Sequence, residues 1–590
     1  MTASAPGRTS EGPSTGQIPV ETSWTPGWRA LSWLLLVAGL CYLISTLAFA
    51  LATRQSFITD WLYYGSMIAG YGHWDAAWLP YEGHRQVMTR LLTALEIEFT
   101  QGRNFVLAPL GLAAHLATAL ILIAGVRLAL ANHDAVVRRA AMGAALVLQF
   151  FAIDMEFLVR GDSQVQWVPF VSLFVVCACA AMGRALAQPA DRRGAWLVVS
   201  FTAAAAASLS GIAGILVWPG LLFAVIVAGV DRRTLLWVVI AAAVVLVPFF
   251  SGNAPRTEAS SGGLLAQLQN PGHLLAAVSA FLGVPVVKAM FVQPFAAWSF
   301  QAGVAVGIVI LVPYAFFMID GLIRRRADGL EAAALGLLMC MALWNGAFAV
   351  KHFGPGTEIA GVDRFWQPIM MCWGIIGLLA FRRWAGRGKA AAKAVMVVGL
   401  GMAGVFAPAQ LFGGVEADAK AAMTDAVGVA IAAAVHDRTL QGRIGYDTGQ
   451  LDRQNVYLRR RGLWPSHDAA ARSMGTKLAM ENGMKACGGG VDGSAAAPRG
   501  GGARRVWGTW PADVAAKADG IAIADGEGTV VGVARAWRAP WLPRYFPKLG
   551  PGPGPDQWYG YIRPSPAPPW TAYVLDAAGR PVCQLGAIKG

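Results

Sequence analysis

The sequence predicts a polytopic α-helical membrane protein of about 11 spans, followed by a soluble C-terminal domain. Hydrophobic residues make up 56% of the 590 residues, charged residues make up only 14%, and the mean hydropathy is +0.48. These values lie far outside the range of soluble globular proteins. Apolar runs long enough to cross about 30 Å of hydrocarbon as helices recur between residues 29 and 411.

The chain begins with residues 1–28, which are rich in Ser, Thr, Pro and Gly and are expected to be disordered in the cytoplasm. The first apolar run, near 29–52, is too long for the core of a cleavable signal peptide and is expected to be a signal anchor. Residues 273–295 are also apolar but contain Pro285 and Pro294, so the sequence leaves open whether they cross the membrane. The other predicted spans lie near 105–130, 139–157, 165–186, 194–211, 212–230, 234–250, 296–319, 330–350, 366–381 and 394–411.

The net charge of +14 comes mostly from short arginine and lysine clusters between the spans. These clusters fall on alternate loops, which places those loops in the cytoplasm by the positive-inside rule. The charge therefore indicates orientation and not nucleic-acid binding. An odd number of spans with a cytoplasmic N-terminus places residues 412–590 outside the cytoplasm. The clusters are Arg127 with Arg138-Arg139, Arg184 with Arg192-Arg193, Arg232-Arg233, Arg324-Arg325-Arg326, and Arg382-Arg383 through Lys393.

The composition changes near residue 412, where the span-length apolar runs end. Residues 416–436 have helical spacing, and several later runs are typical of strands between turns. We therefore expect residues 412–590 to form an extracytoplasmic domain of α+β or mostly β structure. The sequence leaves open whether its Trp and Tyr residues bind glycan or form the core. The strand-like runs are Gly528–Arg535, Trp558–Ile562 and Thr571–Leu575.

Two cysteines, Cys487 and Cys583, lie in this polar tail. If the tail is extracytoplasmic they have the right environment for a disulfide, but sequence carries no geometry, and the pairing stays open. The other cysteines lie in apolar runs, where packing is the expected role. No CxxC pair with metal-binding spacing occurs.

A large outer loop, residues 53–104, separates the first two predicted spans and carries more ionisable residues than a connector needs. Asp60 follows the first span closely, and Asp75 lies further along the loop. Carboxylates beside cations at a membrane boundary suit general-base chemistry, metal binding or the holding of a phosphate. The alternative for Asp60 is structural, as the cap of a short helix that begins at Trp61.

The segment Glu82-Gly83-His84-Arg85 of the same loop is the sharper signal. A histidine and an arginine side by side, next to a carboxylate, can grip a phosphate and tune a proton donor. The alternative is a solvated polar turn at Gly83.

Two further polar groups are predicted on the same side of the membrane. Asp154 and Glu156 lie at the outer end of the third span, where ionisable groups are costly unless they line a wet cavity or meet a partner such as Arg160. His352 and Arg364 lie in a late loop directly before a span. An arginine at the mouth of a helix bundle suits a lipid phosphate. The alternative for Arg364 is an interfacial anchor paired with the aspartate before it.

The sequence contains no P-loop, no dinucleotide-binding glycine fingerprint and no GxSxG nucleophile motif. Nucleotide-driven chemistry is also difficult on the outer face, where the candidate residues gather. This favours a substrate that is already energised and already in the membrane, such as a lipid-linked phosphate donor.

Taken together, these residues resemble the GT-C superfamily of membrane glycosyltransferases, which use polyprenyl-phosphate sugars as donors. The resemblance extends over residues 29–411, with a large first outer loop, an acidic residue soon after the first span, and many spans. Within the superfamily the chain resembles arabinofuranosyl- or mannosyltransferases and uncharacterised bacterial members. The matching stretches are Asp60-Trp61, Glu82-Gly83-His84-Arg85 followed by Arg90-Leu91-Leu92, and Asp363-Arg364-Phe365 with Pro368.

The resemblance implies an inverting glycosyl transfer on the outer face of the bacterial cytoplasmic membrane. Asp60 would be the general base that deprotonates the acceptor hydroxyl of an envelope glycan, a glycolipid or a protein. The leaving polyprenyl phosphate would be stabilised by His84, Arg85 and Arg364. The sequence leaves open a divalent cation, Mg²⁺ or Mn²⁺. The candidate metal ligands are Asp60, Asp154 and Glu156, and the candidate substrate-binding residues are Asp75, Glu82, Asp154, Glu156 and His352.

Two other functions remain as alternatives. A transporter or flippase of a lipid-linked saccharide would also have many spans, but transporters usually place ionisable residues near the midplane in both halves. A non-catalytic envelope-assembly protein would use the loop structurally and the tail for a partner. The candidate residues gather on one side of the membrane, which argues against the transporter, whereas an assembly protein predicts that conservative changes at Asp60 or Arg364 leave function intact.

Overall fold

The described part of the chain consists of a helical bundle and a strand-rich C-terminal domain. The computed structural model describes residues 24–53, 72–79, 85–151, 156–159, 163–230, 232–251, 270–290, 298–352, 366–384, 389–437, 458–480, 483–498, 500–537, 557–564 and 568–589. The first helices are α1 (Pro26–Ala52), α2 (His73–Trp78), α3 (Val87–Thr100), α4 (Leu107–Ala129), α5 (Ala135–Phe150), α6 (Glu156–Val159), α7 (Ser163–Leu186) and α8 (Gly194–Ser210). They are followed by α9 (Val217–Val227), α10 (Arg232–Phe250), α11 (Pro271–Met290), α12 (Trp298–Arg324), α13 (Gly329–His352), α14 (Trp366–Trp384), α15 (Lys389–Ala432), α16 (Ala469–Arg472) and α17 (Ala512–Ala515).

Eight helices in the described ranges are long and apolar enough to cross a membrane. They include α11, so residues 273–290, the described part of the segment that the sequence left ambiguous, form a continuous helix through Pro285. The predicted spans near 194–211 and 212–230 are shorter apolar helices, α8 and α9, joined by a 3₁₀ turn at Ile212–Leu216. The number of eleven spans therefore stays a prediction. The eight helices are α1, α4, α7, α10, α11, α12, α13 and α15.

The candidate spans direct apolar side chains outward. Val309 and Ile323 of α12 are 69% and 76% exposed, and Val244 of α10 is 67% exposed. An apolar surface of this extent is unusual for a protein in water, whereas the hydrocarbon of a bilayer accepts it. The bundle is thus compatible with a multi-pass membrane protein.

The basic clusters meet at one end of the bundle, which we call the basic face. Ion pairs of Arg382 with Asp328, and of Arg383 with Asp320 and Glu331, join α12, α13 and α14 there. Other contacts bring further helix ends to this face. They are close approaches of Gly229 to Arg325 and of Gly183 to Gly329, the ring pair His133–Phe381, and the hydrogen bond from Trp24 to Asp134.

The opposite end of the bundle, the loop face, carries α2, α3 and the C-terminal domain. Arg85, just before α3, donates to the Ser251 carbonyl after α10 at 2.6 Å. Asn104, just after α3, donates to the Val159 carbonyl at 3.1 Å. From the C-terminal domain, the backbone N–H of Trp464 donates to the Gln101 carbonyl at 2.8 Å. Helices α2 and α3 and the C-terminal domain therefore lie on the same face.

The C-terminal domain is built on a seven-stranded antiparallel sheet with the strand order β1-β2-β5-β4-β3-β6-β7. One side of the sheet packs against the end of α15 and against α16, and the other side packs around Trp558 and Ile523. Cys487 and Cys583 form a disulfide, the pairing that the sequence left open. The strands are β1 (Gly490–Ala496), β2 (Arg504–Thr509), β3 (Gly520–Ala524), β4 (Val530–Ala536), β5 (Gln557–Ile562), β6 (Trp570–Leu575) and β7 (Pro581–Ile588).

Helix α15 runs without a break from the basic face to the C-terminal domain. Its 44 residues correspond to about 66 Å of helix, roughly twice the thickness of the hydrocarbon core. It packs parallel to α1, where Tyr42 donates to the Ala403 carbonyl at 2.7 Å and Gln410 donates to Thr46 Oγ1 at 2.8 Å. The composition change near residue 412 falls inside this helix, and the helix predicted at 416–436 is its last part.

We expect Gly143→Ala to destabilise the contact between α1 and α5. A Cβ at Gly143 would lie 2.6 Å from the Leu35 carbonyl oxygen. Because a backbone cannot rotate away, the helices must separate, at a cost of about 1–3 kcal/mol. Thermal unfolding of the purified protein in detergent measures this loss. Gly125→Ala is the matched control, since nothing lies within 4 Å of a Cβ there. Equal unfolding temperatures for the two variants would contradict the prediction.

Candidate functional site

Most of the predicted site residues lie outside the part of the chain that the structure describes. The members of this group are Asp60, Glu82, His84, Asp154 and Arg364. Of the others, Glu156 is the first residue of α6 and His352 is the last residue of α13. The catalytic, phosphate-binding and metal-binding sets therefore stay predictions. What the structure describes is the surrounding framework, together with Arg85 and Asp75.

Arg85, predicted to bind the donor phosphate, is buried beside the end of α10. Its two Nη atoms donate to the carbonyls of Ser251, at 2.6 Å, and Pro248, at 3.3 Å. The guanidinium also lies 4.9 Å from the centre of the Trp78 ring. A cation at a helix C-terminus is stabilised by the negative end of the helix dipole. In this arrangement Arg85 has a structural role, and phosphate binding would compete with it.

Asp75, predicted to bind substrate, is exposed in the first turn of α2. An acid in a first turn meets the positive end of the helix dipole. Arg90 of α3 holds the other end of α2, because it donates to the carbonyls of Ala76, at 3.1 Å, and Leu79. The arginine of the Arg90-Leu91-Leu92 stretch is therefore buried and positions the helix that carries Asp75.

Glu96 of α3 is a fully buried carboxylate with a clear structural partner. It accepts hydrogen bonds from the backbone N–H groups of Phe105 at 3.0 Å, Val106 at 2.6 Å and Leu107 at 3.0 Å. These groups stand at the start of α4, where a helix leaves its first N–H groups without partners. A carboxylate satisfies them and also meets the helix dipole. Glu96 therefore joins α3 to α4.

The C-terminal domain covers part of α3. Glu98 lies 3.3 Å from His73 of α2 and 3.4 Å from Arg461 of the C-terminal domain. His467 of the C-terminal domain lies close to Arg103, just after α3. Burial, the largest cause, lowers the pKa of His467 to about 3, so its ring is neutral at neutral pH. The loop helices are thus held between the bundle and the C-terminal domain.

A polar cluster, formed by His115 of α4, Gln149 of α5 and Gln367 of α14, lies inside the bundle close to the loop face. All three side chains are at least 94% buried. The Phe150 ring meets the His115 ring edge-on at 5.3 Å between centroids. The Gln149 carbonyl oxygen Oε1 has no hydrogen-bond partner among the described residues. Buried groups of this kind are usually satisfied by water or a ligand.

Sequence reasoning missed this cluster. The available signal was His115 itself, an ionisable residue within the apolar run of a span, which is uncommon and often functional. Sequence reasoning also missed Asn345 of α13, a polar residue within an apolar run. It is 1% exposed, and neither of its side-chain polar atoms has a hydrogen-bond partner in the described ranges.

An aromatic anchor joins four helices at the loop face. The Trp366 indole N–H donates to the Phe151 carbonyl. The Phe151 ring stacks on Phe406 at 3.9 Å between centroids, and Thr46 donates to the Phe150 carbonyl at 2.6 Å. The ends of α1, α5 and α14 are thereby fixed around α15.

The aromatic residues of the described sheet form its core. Trp558 and Tyr561 are fully buried, and Tyr559 and Trp570 are nearly so. Of the two alternatives that the sequence left open, the described strands therefore support packing and not an exposed glycan-binding surface.

In the described ranges no group of three His, Cys, Asp or Glu side chains could hold a metal ion.

No protein-family model, curated protein or solved structure matches this chain. The resemblance to the GT-C superfamily therefore rests on the quoted residues and motifs alone.

We expect Glu96→Gln to destabilise the protein and Glu98→Gln to leave it almost unchanged. The two glutamates lie two residues apart on α3, but Glu96 is buried against the start of α4 while the Glu98 side chain is 46% exposed. Loss of a charged acceptor for buried N–H groups costs about 1–3 kcal/mol, whereas an exposed ion pair contributes about 0–1 kcal/mol. Thermal unfolding in detergent distinguishes them. A larger loss for Glu98→Gln would show that the cap is not what holds α4.

Proposed function

We propose that the chain is an inverting membrane glycosyltransferase that moves a sugar from a polyprenyl-phosphate donor to an envelope glycan, a glycolipid or a protein. The observation that carries this proposal is the arrangement of the loop face. The outer-loop helices, the C-terminal domain, the polar cluster and the aromatic anchor all lie at one end of the bundle. The basic clusters lie at the other end. A reaction on a lipid-linked donor needs such a one-sided site at a membrane boundary.

The aromatic anchor supports a common site for residues that are distant in sequence. Arg364 is two residues before Trp366, and Asp154 is three residues after Phe151. A chain spans at most about 3.6 Å per residue. The described residues that flank these two positions, Trp366 and Phe151, meet where the Trp366 indole donates to the Phe151 carbonyl, which supports the proposed common site.

In the proposed reaction, Asp60 accepts the proton of the acceptor hydroxyl, whose oxygen forms the new bond to the anomeric carbon. The bond to polyprenyl phosphate breaks, and His84 and Arg364 stabilise the phosphate charge, with Arg85 as a further candidate. Asp154 and Glu156 would orient the sugar or the acceptor, or would hold, together with Asp60, a divalent cation that supplies positive charge for the phosphate. Glu82, Asp75 and His352 complete the proposed substrate-binding set.

We further propose that the loop face is extracytoplasmic and that the enzyme resides in a bacterial cytoplasmic membrane. The disulfide between Cys487 and Cys583 supports this orientation, because disulfides persist in oxidising compartments and are rare in the cytoplasm. The basic clusters on the opposite face support it by the positive-inside rule.

We expect Asp60→Asn to abolish the transfer. The amide keeps the size of the side chain but cannot act as a base, and general-base catalysis contributes about 10²–10⁴-fold in rate. The measurement is the envelope glycan and glycolipid profile of a deletion strain complemented with wild type or variant at equal expression.

Asp191→Asn is the matched control, since this aspartate is 76% exposed on the basic face. The proposal requires that wild type and the control restore the missing sugar and that Asp60→Asn does not. If Asp60→Asn also restores it, Asp60 is not the base, and the transporter or assembly alternative gains.

We expect the thiols of Cys487 and Cys583 to react with a membrane-impermeant maleimide in intact spheroplasts only after reduction. Oxidation protects them in the proposed outer compartment. The Cys487→Ser/Cys583→Ser variant gives the background from the cysteines of the bundle. Labelling that needs permeabilised membranes would place the C-terminal domain in the cytoplasm instead.

A further inference from the structure

One corner of the basic face, formed by the starts of α1, α5 and α15, concentrates positive charge. It carries Arg29, Arg138, Arg139, Lys389 and Lys393. Helices α1 and α5 contain no Asp or Glu, and α15 contains none before Glu416. The carboxylate at the N-cap of α5, Asp134, accepts a hydrogen bond from the Trp24 indole at 2.9 Å. We call the five cations, with the helix starts that carry them, the basic corner.

The ends of α12, α13 and α14 on the same face are arranged differently. Arg324 pairs with Asp320 at 2.8 Å, Arg383 with Asp320 and with Glu331, and Arg382 with Asp328. The ends of α12, α13 and α14 thus carry their own counter-charges. Helices α1, α5 and α15 supply no such carboxylate at the basic corner apart from Asp134 at the N-cap of α5.

Three cations of the basic corner are held over tryptophan rings. Such pairing orders a long side chain while its charge remains available to an anion. Arg139 is fixed further, because its Nε donates to the Ser32 hydroxyl at 3.4 Å. The pairs, with their distances from the ring centre, are Arg139–Trp33 at 4.6 Å, Lys393–Trp28 at 5.1 Å and Lys389–Trp24 at 5.3 Å.

The basic corner is continuous with the apolar outer surface of α1. Trp33 is 52% exposed, and Val37 and Ile44, further along the helix, are 50% and 64% exposed. Tryptophan favours the boundary between headgroups and acyl chains. A cation above Trp33 and an apolar stripe below it match the two parts of a phospholipid, a charged headgroup and a hydrocarbon tail.

We propose that the basic corner is a binding site for an anionic phospholipid. Arg139, which lies over Trp33, contacts the headgroup phosphate, and Lys393, over Trp28, adds positive charge to the same corner. The acyl chain lies along Trp33, Val37 and Ile44. Basic pockets between spans are suited to such headgroups. The site does not depend on the chemistry of the loop face. It also requires more than the positive-inside rule, which needs the charges but not their tryptophan partners.

The test is native mass spectrometry of the full-length, detergent-purified protein titrated with phosphatidylglycerol or with phosphatidylcholine. The test variant is Arg139→Gln/Lys393→Gln. Each cation near an anionic lipid contributes about a factor of five in affinity, so we expect the dissociation constant for phosphatidylglycerol to rise about 30-fold. Arg192→Gln/Arg193→Gln is the matched control, because it removes the same charge from another loop of the basic face.

The charge-preserving variant Arg139→Lys/Lys393→Arg distinguishes loss of the site from loss of folding. The proposal requires that this variant and the matched control bind phosphatidylglycerol like wild type, and that wild type prefers phosphatidylglycerol to phosphatidylcholine. An equal loss of phosphatidylglycerol affinity in Arg139→Gln/Lys393→Gln and Arg192→Gln/Arg193→Gln would show an effect of general surface charge and would overturn the site. Equal affinity of wild type for the two lipids would overturn it as well.

Discussion

The continuous helix α15 is the constraint on which the relation between the bundle and the C-terminal domain depends. Within the bundle, Gln410 binds Ser45 and Thr46 of α1. Just beyond the helix, Asp437 is fully buried and accepts from Arg505 Nε at 2.7 Å and from the Tyr561 hydroxyl at 2.8 Å. Separation of a buried ion pair leaves an uncompensated charge, which is strongly unfavourable. The sheet is therefore coupled to the bundle through a rigid rod that is fixed at both ends.

The need to satisfy buried polar groups also explains several charged residues of the loop face. A helix end leaves N–H or C=O groups without partners, and a nearby charged side chain satisfies them. Glu96 does this for α4, Arg85 for α10 and Arg90 for the end of α2. A charged residue near a membrane boundary can therefore be the cap of a helix end and need not bind a substrate. A pattern of residue types does not distinguish the two.

The amphipathic and apolar periodicity of the sequence predicted most helices, because span length and composition are local properties. The residues at which the helices end were harder to predict from the sequence. The span predicted at 139–157 is a helix that stops at Phe150, where Thr46 binds the last carbonyl and Trp366 binds the next one. Both partners are remote in sequence. The change of composition near residue 412 marks a change in what surrounds α15 and not the end of the helix.

The candidate site was predictable only in part, because contacts between residues that are remote in sequence are not visible in a local pattern. Asp60, His84 and Arg364 stand out because ionisable residues in short motifs are visible in a sequence. The cluster of His115, Gln149 and Gln367 is formed by three helices that are far apart in the chain, and two of its members are uncharged. Their common burial depends on tertiary packing, which no local pattern carries.

The pairing of α1 with α15 also has a consequence for the order of biosynthesis. The hydroxyl of Ser45 and the amide of Gln410 that binds it are 365 residues apart. At about 5–20 residues per second, translation separates the emergence of the two groups by roughly 20–70 s. During that interval the Ser45 hydroxyl of α1 is without the Gln410 amide that binds it. If α1 enters a bilayer at this stage, as its length and composition allow, the nascent chain needs a temporary neighbour, such as the insertion machinery, or its polar groups face lipid until α15 has been synthesised.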